Sequence, residues 1–249
     1  LVDVLRRYPF IDVFYSNLGM DFRRHVANKY SIKYFSLLDH VHSSMGVHLF
    51  FIITAICFIL FIVGYGTRFF QILAVMGLIS IHNAAIILEN GADLVYNSFL
   101  IWALFLPLGA SWSIDSIQKS LKSNKEHDAN DLNAPMPSSH EKTFHMGYVA
   151  CLVQLSMIYF YNYVNKTGQM WADGTAIHYM YELDTFITLT GEWMKAMFSI
   201  ELGKFMTWMT IWIEMLAPVT ILSPIFQPWL RRGTFIVFVI FHLMIALSI

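Results

Sequence analysis

The chain has 249 residues, 57% hydrophobic and 16% aromatic but only 13% charged, where a soluble globular domain carries about 25% charged residues. At a mean hydropathy of +0.54, the polar residues are too few to cover a water-soluble body of this size, so the composition points to a polytopic membrane protein. The formal net charge of −1 gives no footing for nucleic acid or another strongly charged partner.

The expected fold is all-α: a transmembrane helical bundle with about six spans and interfacial helices, one membrane domain over residues 1–249. Residues 1–43 interleave Arg6, Arg7, Arg23, Arg24, Lys29 and Lys33 with Tyr8, Phe10, Phe14, Tyr15, Tyr30, Tyr34 and Phe35. Cationic stems among rings suit the headgroup zone, so this reads as an interfacial segment, or as a surface for a lipid or peptide. Residues 45–63 supply the ~20 apolar positions a span needs and end at Gly64-Tyr65-Gly66-Thr67-Arg68. Residues 69–88 return as the second span of a hairpin. Glu89-Asn90-Gly91-Ala92-Asp93 breaks it, and 94–110 make a third. Residues 111–142 are the one hydrophilic stretch, with Pro135-Met136-Pro137-Ser138-Ser139, and read as a solvated, flexible loop.

Residues 143–164 form a fourth span. The amphipathic stretch 165–204 carries Trp171, Tyr179, Tyr181, Phe186 and Trp193 and is expected as short helices in the interface. Residues 205–226 make a fifth span containing Pro218 and Pro224, tolerated where neighbours satisfy the freed carbonyls. Arg231-Arg232 mark a boundary, and 234–249 enter a sixth. The missing initial Met and the apolar ending read as truncation at both ends. Cys57 and Cys151 lie within apolar runs, as buried small hydrophobes rather than a disulfide. If the spans alternate, 1–43, 89–93 and 165–204 share one membrane face. That face carries about nine Lys/Arg against about seven on the other, so orientation does not follow from charge.

Ionisable residues at membrane depth are costly and mark function by default. His82 and Asn83 end the second span, with Glu89 on the same helical face; Glu214 precedes Pro218 by four residues; His242 is mid-way through the sixth span. These groups either satisfy one another as glue between helices or line a pocket. A metal is not expected, because His82, Glu214 and His242 come from separate helices and no H-E-x-x-H or Cys-pair spacing occurs. The pairs His40/His42 and His140/His145 read as surface histidines at loop–helix junctions. Lys166 differs: it ends an aromatic helix, Tyr159-Phe-Tyr-Asn-Tyr-Val-Asn-Lys166, before Thr167-Gly168-Gln-Met-Trp171-Ala-Asp173-Gly174. It is either a lysine that snorkels to the headgroups beside a helix C-terminus, or a partly desolvated amine under aromatic cover that acts as a base.

The run His82-Asn83 to Asn90-Gly91-Ala92-Asp93, with Phe105-Leu106-Pro107-Leu108-Gly109-Ala110-Ser111-Trp112-Ser113-Ile114-Asp115, resembles the horizontally transferred transmembrane (HTTM) domain, the membrane part shared with vitamin K-dependent gamma-carboxylase. So do Lys166-Thr-Gly-Gln-Met-Trp171-Ala-Asp-Gly174-Thr-Ala, the series Glu214, Pro218, Pro224, and Phe241-His242. The resemblance covers about residues 80–249, and more loosely Phe14-Tyr15-Ser16-Asn17-Leu18-Gly19. It implies a bundle that binds a reduced, vitamin K-like quinone. Lys166 would be the base and Asp93 a second catalytic group, while His82, Asn83, Trp171, Glu214 and His242 would line the cofactor pocket. In the carboxylase the deprotonated hydroquinone reacts with oxygen, and the strong base formed removes a gamma proton from a peptide glutamate that then takes up carbon dioxide. The chain departs from the family where a catalytic histidine falls close to Ala92-Asp93, and the soluble substrate-holding domain lies outside these residues.

Two readings follow. One is a quinol-dependent, carboxylase-like membrane enzyme acting on a peptide or lipid. The other is a non-enzymatic module for maturing or escorting an exported peptide or lipid. Either is a multi-pass protein of a membrane, the bacterial inner membrane by resemblance, with the bilayer as its first partner. A transporter ranks last, since no inverted repeat is visible.

Overall fold

The computed structural model describes residues 1–16, 18, 35–41, 43–130, 146–183 and 187–248, and among them every regular element is helical. The expected single domain divides into two compact units, Leu1–Tyr148 and Val149–Ile249. Arg23, Arg24, Lys29, Lys33, Tyr30, Tyr34, His42, His140, His145 and Phe186 lie outside the described residues.

The first unit is built around a helical hairpin. Helix α1 (Val2–Arg7) passes through a 3-10 turn at Tyr8–Phe10 into α2 (Ile11–Phe14); Pro9, with no N–H to donate, breaks the run. Helices α3 (Ser44–Val63) and α4 (Thr67–Ala84) are the expected hairpin. The Ser43 hydroxyl caps α3 by accepting from the Gly46 N–H. The core joins Val4, Ile11 and Tyr15 to Val47 and Phe51 of α3 and to Leu78 and Ile81 of α4. Three apolar side chains of the N-terminal segment are almost fully buried in the first unit, while Val2, Leu5, Phe10 and Val13 stay exposed; burial of that kind stabilises each buried one by about 1.5–3 kcal/mol.

Gly64 closes the hairpin. It takes φ 76°, and the Gly64 and Tyr65 N–H groups donate back to Phe61 and Leu60 carbonyls at 3.1 and 3.0 Å, the Schellman pattern that ends a helix. A Cβ here would meet Ser113 Cβ at 2.3 Å. Gly64→Ala is therefore expected to cost about 1–3 kcal/mol, from left-handed strain plus overpacking, read as a lower unfolding temperature in detergent. An unchanged midpoint would mean that the turn is not held against Ser113.

Two expectations for the rest of this unit need correcting. The third span, 94–110, is instead the 13-residue helix α5 (Gly91–Ala103), about 20 Å long at 1.5 Å per residue and short of the ~30 Å hydrocarbon layer. Asn90 and Asp93 start it early through a reciprocal cap, and Pro107 prevents its continuation. The loop over 111–142 contains a helix, α6 (Ile114–Asn130). The Ser113 hydroxyl caps it by accepting from the Ser116 N–H at 3.0 Å, and the Asp115 carboxylate accepts from the Gly66 and Thr67 N–H groups at 2.9 and 2.7 Å. The low hydropathy of this stretch concealed a helix pinned at its first turn.

The second unit takes in most of α7 (Met146–Val164), the short helices α8 (Gln169–Ala172), α9 (Ala176–Met180) and α10 (Leu189–Met197), then α11 (Ile200–Leu222) and α12 (Gln227–Ser248). Helix α11 begins before the expected 205 and runs through Pro218. Helix α12 takes in Arg231 and Arg232, which the sequence placed at a boundary; Arg231 Nε donates to the Ile221 carbonyl at 3.2 Å and so satisfies the end of α11.

Among the described residues, three helices are long and apolar enough to cross a membrane: α3, α11 and α12. Much of their apolar surface faces outward, with Ile62, Phe205, Phe235 and Ile240 all exposed. Apolar exposure on this scale has a natural solvent in lipid. These features define a helical protein compatible with association with a bilayer.

Candidate functional site

In the second unit, the chain just past the end of α7 delivers Lys166, and α11 delivers Glu214 from 48 residues away. The Lys166 ammonium donates to Glu214 Oε2 in a close ion pair whose side chains are only 15% and 7% exposed. Lys166 Nζ also donates to the Asn162 carbonyl at 3.4 Å. It lies 5.0 Å from the centroid of the Trp171 ring, within cation–π range. Three of the expected site residues are thus brought together.

The segment carrying Trp171 is held on α11 by specific contacts. The Ile177 N–H donates to Thr207 Oγ1 at 3.1 Å, and that hydroxyl donates to the Gly203 carbonyl at 2.9 Å. Gly174 has φ 75°, and a Cβ there would stand 2.6 Å from Trp208 Nε1. Only glycine permits both the turn and the approach. Glu214 lies seven residues beyond Thr207, two turns along the same face of α11, so the docked loop sets Trp171 over the pair.

On α7, Tyr159 lies seven residues before Lys166 in the chain. Its ring packs on Phe238 of α12 at 4.1 Å between centroids and meets His242 edge-on at 6.2 Å. His242 Nδ1 donates to the carbonyl of Phe238 in its own helix at 2.9 Å, so this histidine reaches the site through Tyr159 rather than through a bond to Lys166 or Glu214.

The other expected residues belong to the first unit. His82 is fully buried. Its Nε2 lies 2.8 Å from Asp3 Oδ2 and its Nδ1 lies 3.0 Å from Asn97 Oδ1. A carboxylate only accepts, so Nε2 carries the proton in the first contact. Asp93, 1% exposed, accepts from Arg7 Nη2 at 2.6 Å and from the Asn90 N–H of its own cap at 3.0 Å; its Oδ1 is 3.8 Å from His82 Nε2. Asn83 instead donates to the Phe35 carbonyl at 2.8 Å and ties down the segment before α3.

Arg7 is the centre of this cluster and corrects its placement among the headgroups. Its guanidinium also donates to Asp3 at 3.0–3.1 Å and to the Tyr15 hydroxyl at 3.2 Å, so a charge that would be prohibitive alone is compensated on three sides. Burial pushes the Asp3 carboxyl up, but hydrogen bonds from His82 and Arg7 outweigh it and hold it below its ordinary value. Burial likewise raises the Tyr15 phenol, with Arg7 opposing. Asp3, His82 and Asp93 place one ligand atom each within 4.8 Å of one another, a spacing a metal could use. Arg7 already supplies the cation there. Asp3, Arg7, Tyr15 and Asn97 were not singled out from the sequence; the one local signal was Asp3 and Arg7 four apart on a short helix.

Comparison with protein-family models, with curated proteins and with solved structures returned no match.

Proposed function

We propose that this chain is a multi-pass integral membrane protein of the HTTM type, in which Lys166 and Glu214 form the proton-transfer pair of an enzyme acting on a reduced quinone. The observation that carries the reading is the ion pair itself. A lysine and a glutamate in an apolar setting, largely shielded from water and roofed by Trp171, form an arrangement costly to keep for stability alone. Transfer of one proton from the Lys166 ammonium to the Glu214 carboxylate gives a neutral amine and a carboxylic acid. The amine then accepts a phenolic proton, so the ammonium is restored as the phenolate forms, and the proton held on Glu214 must pass to water before the ion pair is reset. Trp171 over Lys166, and the stacked rings of Tyr159 and Phe238 in the same unit, offer apolar faces of the kind on which a flat, hydrophobic ring packs. Asp93, with its carboxylate engaged by Arg7 and its own helix cap, is read as a structural anchor. Carboxylation of a peptide is left outside the proposal, because Ala92-Asp93 stands where the family pattern has a histidine.

In proteoliposomes supplied with a reduced short-chain quinone, Lys166→Met is expected to lower quinol consumption by about 10²–10⁴-fold. The double variant Lys166→Met/Glu214→Leu is expected to regain stability without regaining turnover. Full activity in a folded double variant would sink the enzyme reading. The outward-facing aromatics of 165–204, Tyr179 and Trp193 among them, favour a second reading, a module that escorts an exported peptide or lipid. That reading is supported if Lys166→Met is silent while Gly174→Val, which drives a side chain into Trp208, abolishes function.

A further inference from the structure

At the end of the hairpin in the first unit lies a cavity of about 600 Å³, within the range of small-ligand sites. Part of its wall is the apolar run Phe105 to Leu108, and Arg68, Lys119 and Lys122 line it too. Among the described residues a single acid, Asp115, faces the same space, and its carboxylate is already taken by the Gly66 N–H, the Thr67 N–H and the Thr67 hydroxyl at 2.7–2.9 Å. The cations thus outnumber the acid by two, and the acid is committed to the helix start.

We propose that this cavity binds a phosphate-bearing anion, supplied by an anionic membrane lipid whose chain lies along the apolar wall. Three observations favour a lipid over a free anion. The cavity sits where the membrane-length helix α3 ends at Gly64, the depth at which headgroups lie. Trp112, beside it in the chain, is fully exposed, as expected of an indole in the aromatic belt. Phe105 and Leu108 are exposed although they line the cavity, an arrangement that suits a ligand with an apolar tail and gives nothing to inorganic phosphate. The proposal is independent of the Lys166 chemistry and needs only the bilayer.

The test is native mass spectrometry of the full chain in a non-ionic detergent, titrated with phosphatidylglycerol or phosphatidylcholine of identical chains. Phosphatidylglycerol should be retained at least about tenfold more tightly, a modest return for three cations near a headgroup. R68Q/K119Q/K122Q should abolish that preference, and the charge-keeping R68K/K119R/K122R should retain it. Leu108→Asp should weaken lipid binding with the cations intact. Equal retention of the two lipids, or an unaffected triple glutamine variant, overturns the proposal. Full displacement by millimolar inorganic phosphate, with Leu108→Asp silent, overturns the lipid in favour of a free anion.

Discussion

Arg7→Met is expected to destabilise the first unit by about 3–5 kcal/mol at neutral pH, one of the two largest effects in the molecule. The guanidinium is 8% exposed and faces Asp3 and the almost fully buried Asp93. Methionine fills much of the volume but leaves two carboxylates close together with only His82 and the Asn90 cap to face them. The sign of the pH dependence separates this cause from lost packing. In the native protein the Asp3 carboxyl is held below its ordinary value. Its contribution is therefore present above about pH 4, the unfolded value, and is lost as pH falls through the lower folded value. In the variant, protonation relieves the repulsion, so the deficit against wild type should shrink as pH falls from 7 toward 4. Thermal unfolding of both proteins in detergent across that range is the measurement, and a deficit independent of pH would show that charge is not the reason. Arg7→Met combined with Asp93→Asn should cost less than the single change.

The second large effect is at the Lys166–Glu214 pair, and it is asymmetric. Lys166→Met strands a short, 7%-exposed carboxylate on α11 and should cost about 3–5 kcal/mol. Glu214→Leu strands an ammonium on a four-carbon stem at a helix end, which can swing toward the headgroups, so about 1–2 kcal/mol is expected. Replacing both by apolar residues should come close to neutral, so the double-mutant cycle should show a coupling about equal to the two single losses together, about 4–7 kcal/mol. Additive losses would show that the two side chains do not pair. This cycle reads stability alone, so it holds whichever functional reading of the site survives.

The membrane character of α3, α11 and α12 was legible because hydropathy over some 20 residues is a local sum. So was the hairpin turn: Gly64 and Gly66 announce left-handed backbone, and both adopt it. The end of α7 at Asn165 and the singularity of Lys166 were legible for the same reason. Helix α5 misled because its apolar run continues past Pro107, so hydropathy overran the stereochemical stop. Helix α6 was missed because what stabilises it, Asp115 on the start of α4, comes from outside its own composition.

The sequence by itself determined that this is a helical, lipid-compatible chain, where its principal hairpin turns, and that Glu214, His82 and Lys166 are the polar groups to account for among apolar neighbours. Only the tertiary structure decided the partners: Glu214 for Lys166 across 48 residues, and Arg7 for Asp93 across 86. It also divided the chain into two compact units at Tyr148. The physical reason is that helix periodicity and hydropathy act within a few turns, whereas a buried charge is compensated by whichever opposite charge the packing brings within about 3 Å. A lone acid in an apolar helix states the need, and the fold supplies the answer.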